Sequence, residues 1–142
     1  MNKNKKSGLI IAVTSLLGLL AAVVLFTNSH SQQIDIPFTS SADFGHGLTI
    51  HKVWAQSVGT NVEFHIDYTS DVDRGLSFFD PPNGEILSIQ KNLPAGTGSV
   101  VVVTSISSLQ KVSNLTVNFY IPARELTGRI FLDFPKIKKI LP

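Results

Sequence analysis

The chain contains no cysteine among its 142 residues. Disulfide frameworks, thiolate metal sites and cysteine nucleophiles are excluded at once, and so is a lipid-modified cysteine of the lipoprotein type. In an exported protein this absence fits a bacterium that does not depend on oxidative folding. Charge is scarce as well, at 15% of residues, and unevenly placed. All ten acidic residues, but only six of the twelve basic ones, fall between positions 30 and 135. The other basic residues are Lys3, Lys5 and Lys6 at one end and Lys136, Lys138 and Lys139 at the other. A basic face interleaved with aromatics, the footprint of nucleic-acid binding, is missing. Nucleic acid is therefore excluded as a partner despite the pI of about 9.0.

Signatures of chemistry are missing too. There is no Gly-x-Ser-x-Gly, and the serines have no His and Asp in a recognisable nucleophilic context. "AGTGS" (95–99) is glycine-rich, but no lysine follows it and it opens no helix, so it is not a phosphate cradle. The chain reads as non-enzymatic, with no cofactor.

One long apolar run is present. Gly8 to Phe26 holds nineteen uncharged residues, of which only Thr14 and Ser15 are polar. As a helix it reaches roughly 28 Å, close to the hydrocarbon thickness of a bilayer. That length favours an anchor over a signal-peptide core, which is usually about 7–15 residues. The lysines ahead of it orient residues 1–7 to the cytoplasm and the rest of the chain to the outside. The alternative is cleavage and secretion. Ser29 and Ser31 supply small residues for a cut before Gln32, and Thr27 and Ser29 do so before His30. Both readings share one topology. The boundaries expected are 1–7 cytoplasmic, 8–26 span or signal core, 27–44 linker and first edge strand, and 45–142 a folded domain.

Beyond Gln33 the apolar period is two, the mark of half-buried strands. "NVEFHIDYTS" sets Val62, Phe64, Ile66 and Tyr68 on one face. "NLTVNFYIP" does so with Leu115, Val117, Phe119 and Ile121, and "GRIFLDFP" with Ile130, Leu132 and Phe134. "SVVVVTSIS" is apolar on both faces, as expected of a central strand covered on both sides. In "LTIHKVWAQ", burying both Ile50 and Val53 requires a β-bulge near His51 or Lys52, and Trp54 is expected in the core. "IDIPF" reads as one short strand, Asn83-Gly84 as a two-residue hairpin turn, and Pro81 as the stop of the strand before it. "ISSLQKV" and "PAREL" each suit a single helical turn. About eight short strands separated by turn signals predict an all-β, immunoglobulin-like sandwich of about 7–8 antiparallel strands.

The order of an apolar segment, "LTIHKVWAQSVGTNVEFHIDY", "FFDPPNGEIL" and "LTVNFYI" resembles the extracellular immunoglobulin-like domains of small Gram-positive membrane proteins. The likeness covers about residues 45 to 135. It implies a sandwich fold and a binding role, and carries no catalytic motif. Some such domains sit behind signalling segments; here only a few residues precede the apolar run, and the likeness does not extend to such a segment.

Three patterns qualify as candidate sites. His51 and His65, with Asp67, fall on strands expected to form a hairpin, where the two rings become cross-strand neighbours if the register allows. Such a patch makes a metal- or pH-responsive envelope sensor; its alternative is a set of solvent-facing histidines. Asp71, Asp73 and Arg74 in "SDVDRG", and Asn83 and Glu85 in "DPPNGE", are candidate binding loops. "DVDRG" is no EF-hand, because its glycine is fifth and its twelfth position is Pro82, where that loop needs Gly at six and Glu at twelve. Lys136, Lys138 and Lys139 in "FPKIKKILP" read either as the solvated face of a short last strand or as a contact for an anionic surface. Asn114-Leu-Thr is set aside, since the chain reads as bacterial. The function expected is an envelope module, attached to the membrane by its N-terminal helix, that binds another envelope protein or a wall component. The alternative is a secreted factor of inhibitor or immunity type.

Overall fold

The computed structural model describes residues 32–122 and 125–142, so the apolar run and its cleavage positions lie outside the described residues. Among the described residues no helix is long and apolar enough to cross a membrane.

Among the described residues nine strands form two antiparallel sheets. Strands β1 (Ile34–Asp35), β3 (Leu48–Val58), β4 (Asn61–Ser70) and β7 (Gly96–Ser105) lie in the order β1-β3-β4-β7. Strands β2 (Phe38–Ser40), β5 (Arg74–Asp80), β6 (Glu85–Leu93), β8 (Leu115–Ile121) and β9 (Glu125–Leu132) lie in the order β2-β9-β8-β5-β6. The inner faces of both sheets bury one common core. Phe64 from β4 meets Phe78 from β5 at the centre, ring centroids 4.9 Å apart. The alternating residues of β4 and β8 face inward as their period demands, apart from Ile121, which is half-buried.

The register of β3 on β4 steps between Ile50, which pairs with Tyr68, and Lys52, which pairs with Asp67. His51 is the extra residue of a bulge, so Ile50 and Val53 are both buried. The same step puts Trp54 on the outer face, half-buried and not in the core as the sequence led us to expect.

Other expectations are corrected. "IDIPF" is two strands: β1 pairs with β3 and β2 with β9. Pro37, which has no N–H to give a ladder, marks the crossing from one sheet to the other. Strand β7 is an edge strand paired only with β4. Its second apolar face is open, with Val101 44% and Val103 49% exposed. The hairpin after Asp80 has a four-residue loop, closed by Gly84 N–H donating to the Asp80 carbonyl at 2.9 Å. A two-residue loop does occur at Gly59-Thr60, between the paired Val58 and Asn61, with Gly59 at φ 60°.

"ISSLQKV" forms the single turn α1 (Ile106–Leu109), capped by Ser105. In "PAREL", Glu125 and Leu126 already belong to β9. The C-terminal segment is a short helix, α2 (Phe134–Lys138), in place of a strand. Asp133 caps it by accepting the Lys136 N–H, and a proline in its first turn has no N–H to leave unbonded. Phe134 and Ile137, three apart and so on one helical face, are buried in the core.

Short connections sort the loops to two ends. The turn at 59–60, α1, the 81–84 loop, α2 and the entry at Gln32 lie at one end. The 41–47, 71–73 and 94–95 segments lie at the other. The first end carries Lys111, Lys136, Lys138 and Lys139 together with Asp80, Glu85 and Asp133, and the second carries Asp43, Asp71, Asp73 and Glu125 together with the buried Arg74.

With no disulfide to help, the core must carry the fold. Phe78→Ala is expected to cost about 3–5 kcal/mol by losing its contacts across the two sheets, measured by urea unfolding. Phe131→Ala, on an outer face, is expected to leave the midpoint nearly unchanged.

Candidate functional site

The outer face of the four-stranded sheet is built from the outward positions of β3, β4 and β7. Register aligns Asp35, Trp54, His65 and Val101 in one row across all four strands. The neighbouring row is Gln56, Glu63 and Val103. Trp54 and His65 stack face to face, centroids 3.5 Å apart and planes 6° from parallel. Aromatic pairs opposite one another on a sheet stabilise it by roughly 0.2–1 kcal/mol, and here the pair also holds the indole in place.

Gln56 donates to Glu63 Oε2 at 2.9 Å. The same oxygen lies 3.5 Å from His65 Nε2, which is enclosed and has no hydrogen-bond partner. The face thus carries a fixed indole on β3 and two open valines on β7, with His65 and Glu63 of β4 between them. Sheet faces in contact with water normally alternate to polar residues; β4 does so with Glu63, His65, Asp67 and Thr69, and the exposed Val101 and Val103 of β7 are the exception.

The histidine patch does not come together as expected. His51 Nε2 lies 2.8 Å from Thr69 Oγ1, which in turn meets Thr97 Oγ1 at 2.9 Å. His65 sits four positions earlier on β4, about 13 Å along the strand. Asp67 faces Lys52 in the register. The hairpin register is the reason: the two-residue turn pairs Val58 with Asn61 and so sets His65 opposite Trp54, three residues from His51. Among the described residues no three His, Asp or Glu side chains converge as metal ligands.

The loop candidates divide. Arg74 is no loop contact but a buried brace, 2% exposed. Its Nε donates to Ser70 Oγ at 2.9 Å, and its Nη2 to the His46 carbonyl and Asp71 Oδ1 at 2.8 Å each. Gly47 is required beside it: at φ 73° a side chain is strained, and its Cβ would collide with the Asp71 carboxylate. Asp73 accepts the Ala95 N–H at 2.8 Å, so it fastens one loop to another. Arg74 also lines a cavity of about 190 Å³ with Asp43, His46 and Thr127. A hydrogen bond from Ser41 holds the Asp43 carboxyl below its ordinary value. Asn83 donates to the enclosed carboxylate of Asp80 at 2.5 Å, while Glu85 is exposed at the loop's edge.

Lys136 and Lys139 are exposed on α2 and just beyond it. They line an open groove of about 690 Å³ with Gln32, Gln33, Asp35 and Lys52. Lys138 Nζ lies 5.4 Å from the centre of the Phe134 ring. Sequence reading missed both Trp54 and this groove. For α2 the signal was there: an aspartate before Phe-Pro, and apolar residues three apart. For the groove there was none, because its walls come from three distant parts of the chain.

Tyr68 links the core to the acidic end by donating to the Pro94 carbonyl at 3.1 Å. Burial, aided by the charge of Asp73, pushes its phenol above the ordinary value of 10.0. The unfolded chain then releases this proton at lower pH than the folded one. Tyr68 therefore stabilises the fold below that ordinary value, and the contribution is lost as pH rises through the folded one. Unfolding midpoints of the wild type should fall in this alkaline window, and those of Tyr68→Phe should fall less. Comparison with protein-family models, with curated proteins and with solved structures finds no match to this chain.

Proposed function

We propose that this is a non-enzymatic cell-envelope protein. Its immunoglobulin-like domain stands outside the membrane, held by the helix of residues 8–26, and binds another envelope protein through the outer face of the four-stranded sheet. The fold part of this reading is supported by connectivity. Strands β3-β4-β7 face β9-β8-β5-β6, with β4 paired to β7 and β5 to β8. The chain passes from one sheet to the other after β4, β6 and β7, a pattern shared by immunoglobulin-like sandwiches.

The observation that carries the binding reading is the row of Trp54 and Val101 with Val103 beside it. A half-buried tryptophan stacked on His65, with two exposed valines one strand beyond and hydrogen-bonding groups around it, has the mixed aromatic, apolar and polar composition of an interface. The rigid sheet gives it a fixed shape, so little order is lost on docking.

Two measurements test this. Membranes and medium from a Gram-positive host are separated, and the N-terminus of the accumulated protein is sequenced. Membrane-bound protein with its leading lysines supports the anchor; protein in the medium beginning at His30 or Gln32 supports the secreted alternative. A photo-crosslinking residue is then placed at Val101, and another at Ile86 on the opposite sheet. A discrete adduct from Val101, reduced tenfold or more by Trp54→Ala, which corresponds to about 1.4 kcal/mol, is the expected result. Equal adducts at both positions, or none at Val101, would overturn it.

A further inference from the structure

The basic groove at the end where the described chain begins shares only Asp35 and Lys52 with the sheet face. Its walls are Gln32, Gln33 and Asp35 on one side, Lys52 from β3, and Lys136 and Lys139 from α2. Lys52 is partly neutralised, since its Nζ lies 3.1 Å from Asp35 Oδ1. Lys136, Lys138 and Lys139 are all exposed, and no carboxylate lies within ion-pairing distance of them among the described residues. The last residues curl toward α1, where Gln110 donates to the Pro142 carbonyl at 3.2 Å. This brings Lys111, also exposed, to the same end. Asp80, Glu85 and Asp133 share this end, but Asp80 is enclosed and Asp133 is engaged in capping α2; Asp43, Asp71, Asp73 and Glu125 lie at the far end.

We propose that this basic end docks on the anionic headgroups of the bilayer, so that the domain stands with Lys136, Lys138 and Lys139 against the lipid phosphates and its acidic loops outward. The inference rests on the anchor reading above and adds an orientation to it. Two features on the chain specify the occupant. The first is distance. Gln32 lines the groove, and only residues 27–31 separate it from Phe26, the end of the apolar run. The six steps from Phe26 to Gln32 span at most about 20 Å when extended, which on the anchor reading is the length of the tether. The second is charge. The lysines are compact cations on flexible stems, suited to many phosphates in varied positions and not to one shaped ligand.

α2 gives this surface its rigidity. Phe134 and Ile137 are buried beneath it, which directs the lysines between and after them to solvent. Gln32 and Lys139 therefore keep a fixed spacing, and a membrane contact at one bears on the other. Attraction between such a patch and an anionic leaflet falls within a Debye length, so the orientation should be sensitive to salt.

The lack of cysteine makes a direct test available. Full-length chain carrying Gln33→Cys, or Val72→Cys at the far end, is labelled with a fluorescent donor. It is then reconstituted into vesicles whose headgroups carry an acceptor. Energy transfer from position 33 is expected to be about twofold or more higher in phosphatidylglycerol-containing vesicles than in phosphatidylcholine alone. High salt, or the triple variant K136Q/K138Q/K139Q, should abolish that difference. Position 72 should show no gain. Far-ultraviolet circular dichroism of the triple variant should match the parent, because all three side chains are exposed.

Chain stripped from vesicles by an alkaline wash overturns the anchor reading and this proposal with it. Chain retained, but with transfer equal in both lipids or unaltered in the triple variant, overturns this proposal alone. A lysine-dependent response to soluble polyglycerol phosphate, and none to phosphatidylglycerol, also overturns it, in favour of a wall polymer.

Discussion

Side chains on a strand alternate, and a single unpaired residue reverses every face that follows. In this protein that residue is His51. Without the bulge, a strand that buries Ile50 would also bury Lys52 and Trp54 and expose Val53 and Ala55. With it, the first turn of the strand and its long second half both feed the core, and the indole emerges on the far side. The exposure of the indole, and with it the stacked pair with His65, depends on that one displacement. A bulge that relocates a side chain in this way is a common device near binding sites.

The second constraint is the absence of covalent staples. A domain of this size buries about two-thirds of its unfolded surface, and packing must do the work of bridges. The termini of the described domain show how. The N-terminal segment divides at Pro37 and pairs with both sheets. The C-terminal segment turns into α2 and puts Phe134 and Ile137 into the core. At the end opposite α2 a buried arginine ties the 70–74 segment to the His46 carbonyl through hydrogen bonds.

Half-buried strands were the legible part of the sequence. β4, β8 and β9 alternate cleanly because one face meets the core and the other meets water, and that contrast is written in every second letter. Strand β7 misled because four consecutive valines look the same whether the second face is covered or open. Trp54 misled for a related reason: size and hydrophobicity favour burial on average, and only the register decides the case. The segment "FPKIKK" is too short for its period to separate strand from helix, and its aspartate cap was the better guide. Of the candidate residues, Arg74 and Asp73 were noticed for their charge but are committed to internal bonds. The groove at Lys52, Lys136 and Lys139 joins residues more than eighty positions apart, which no local pattern encodes.

Strand β7 has a further consequence. Residues 99–105 are "SVVVVTS", a run with no charge, proline or glycine and a strong preference for extended backbone. It lies at the edge of its sheet, paired on one side only, and its second apolar face stays open even when the protein is folded. Segments of this kind are templates for strand pairing between chains. The folded domain blunts the edge modestly: β6 runs close by, and Ser88 Oγ donates to the Val103 carbonyl at 3.2 Å. Before folding the chain has no such cover, because β6 and β7 belong to different sheets and meet only when both have formed. The interval before the two sheets close is therefore when this protein is most prone to aggregate, and an open valine edge on its surface is what exposes it to its own copies.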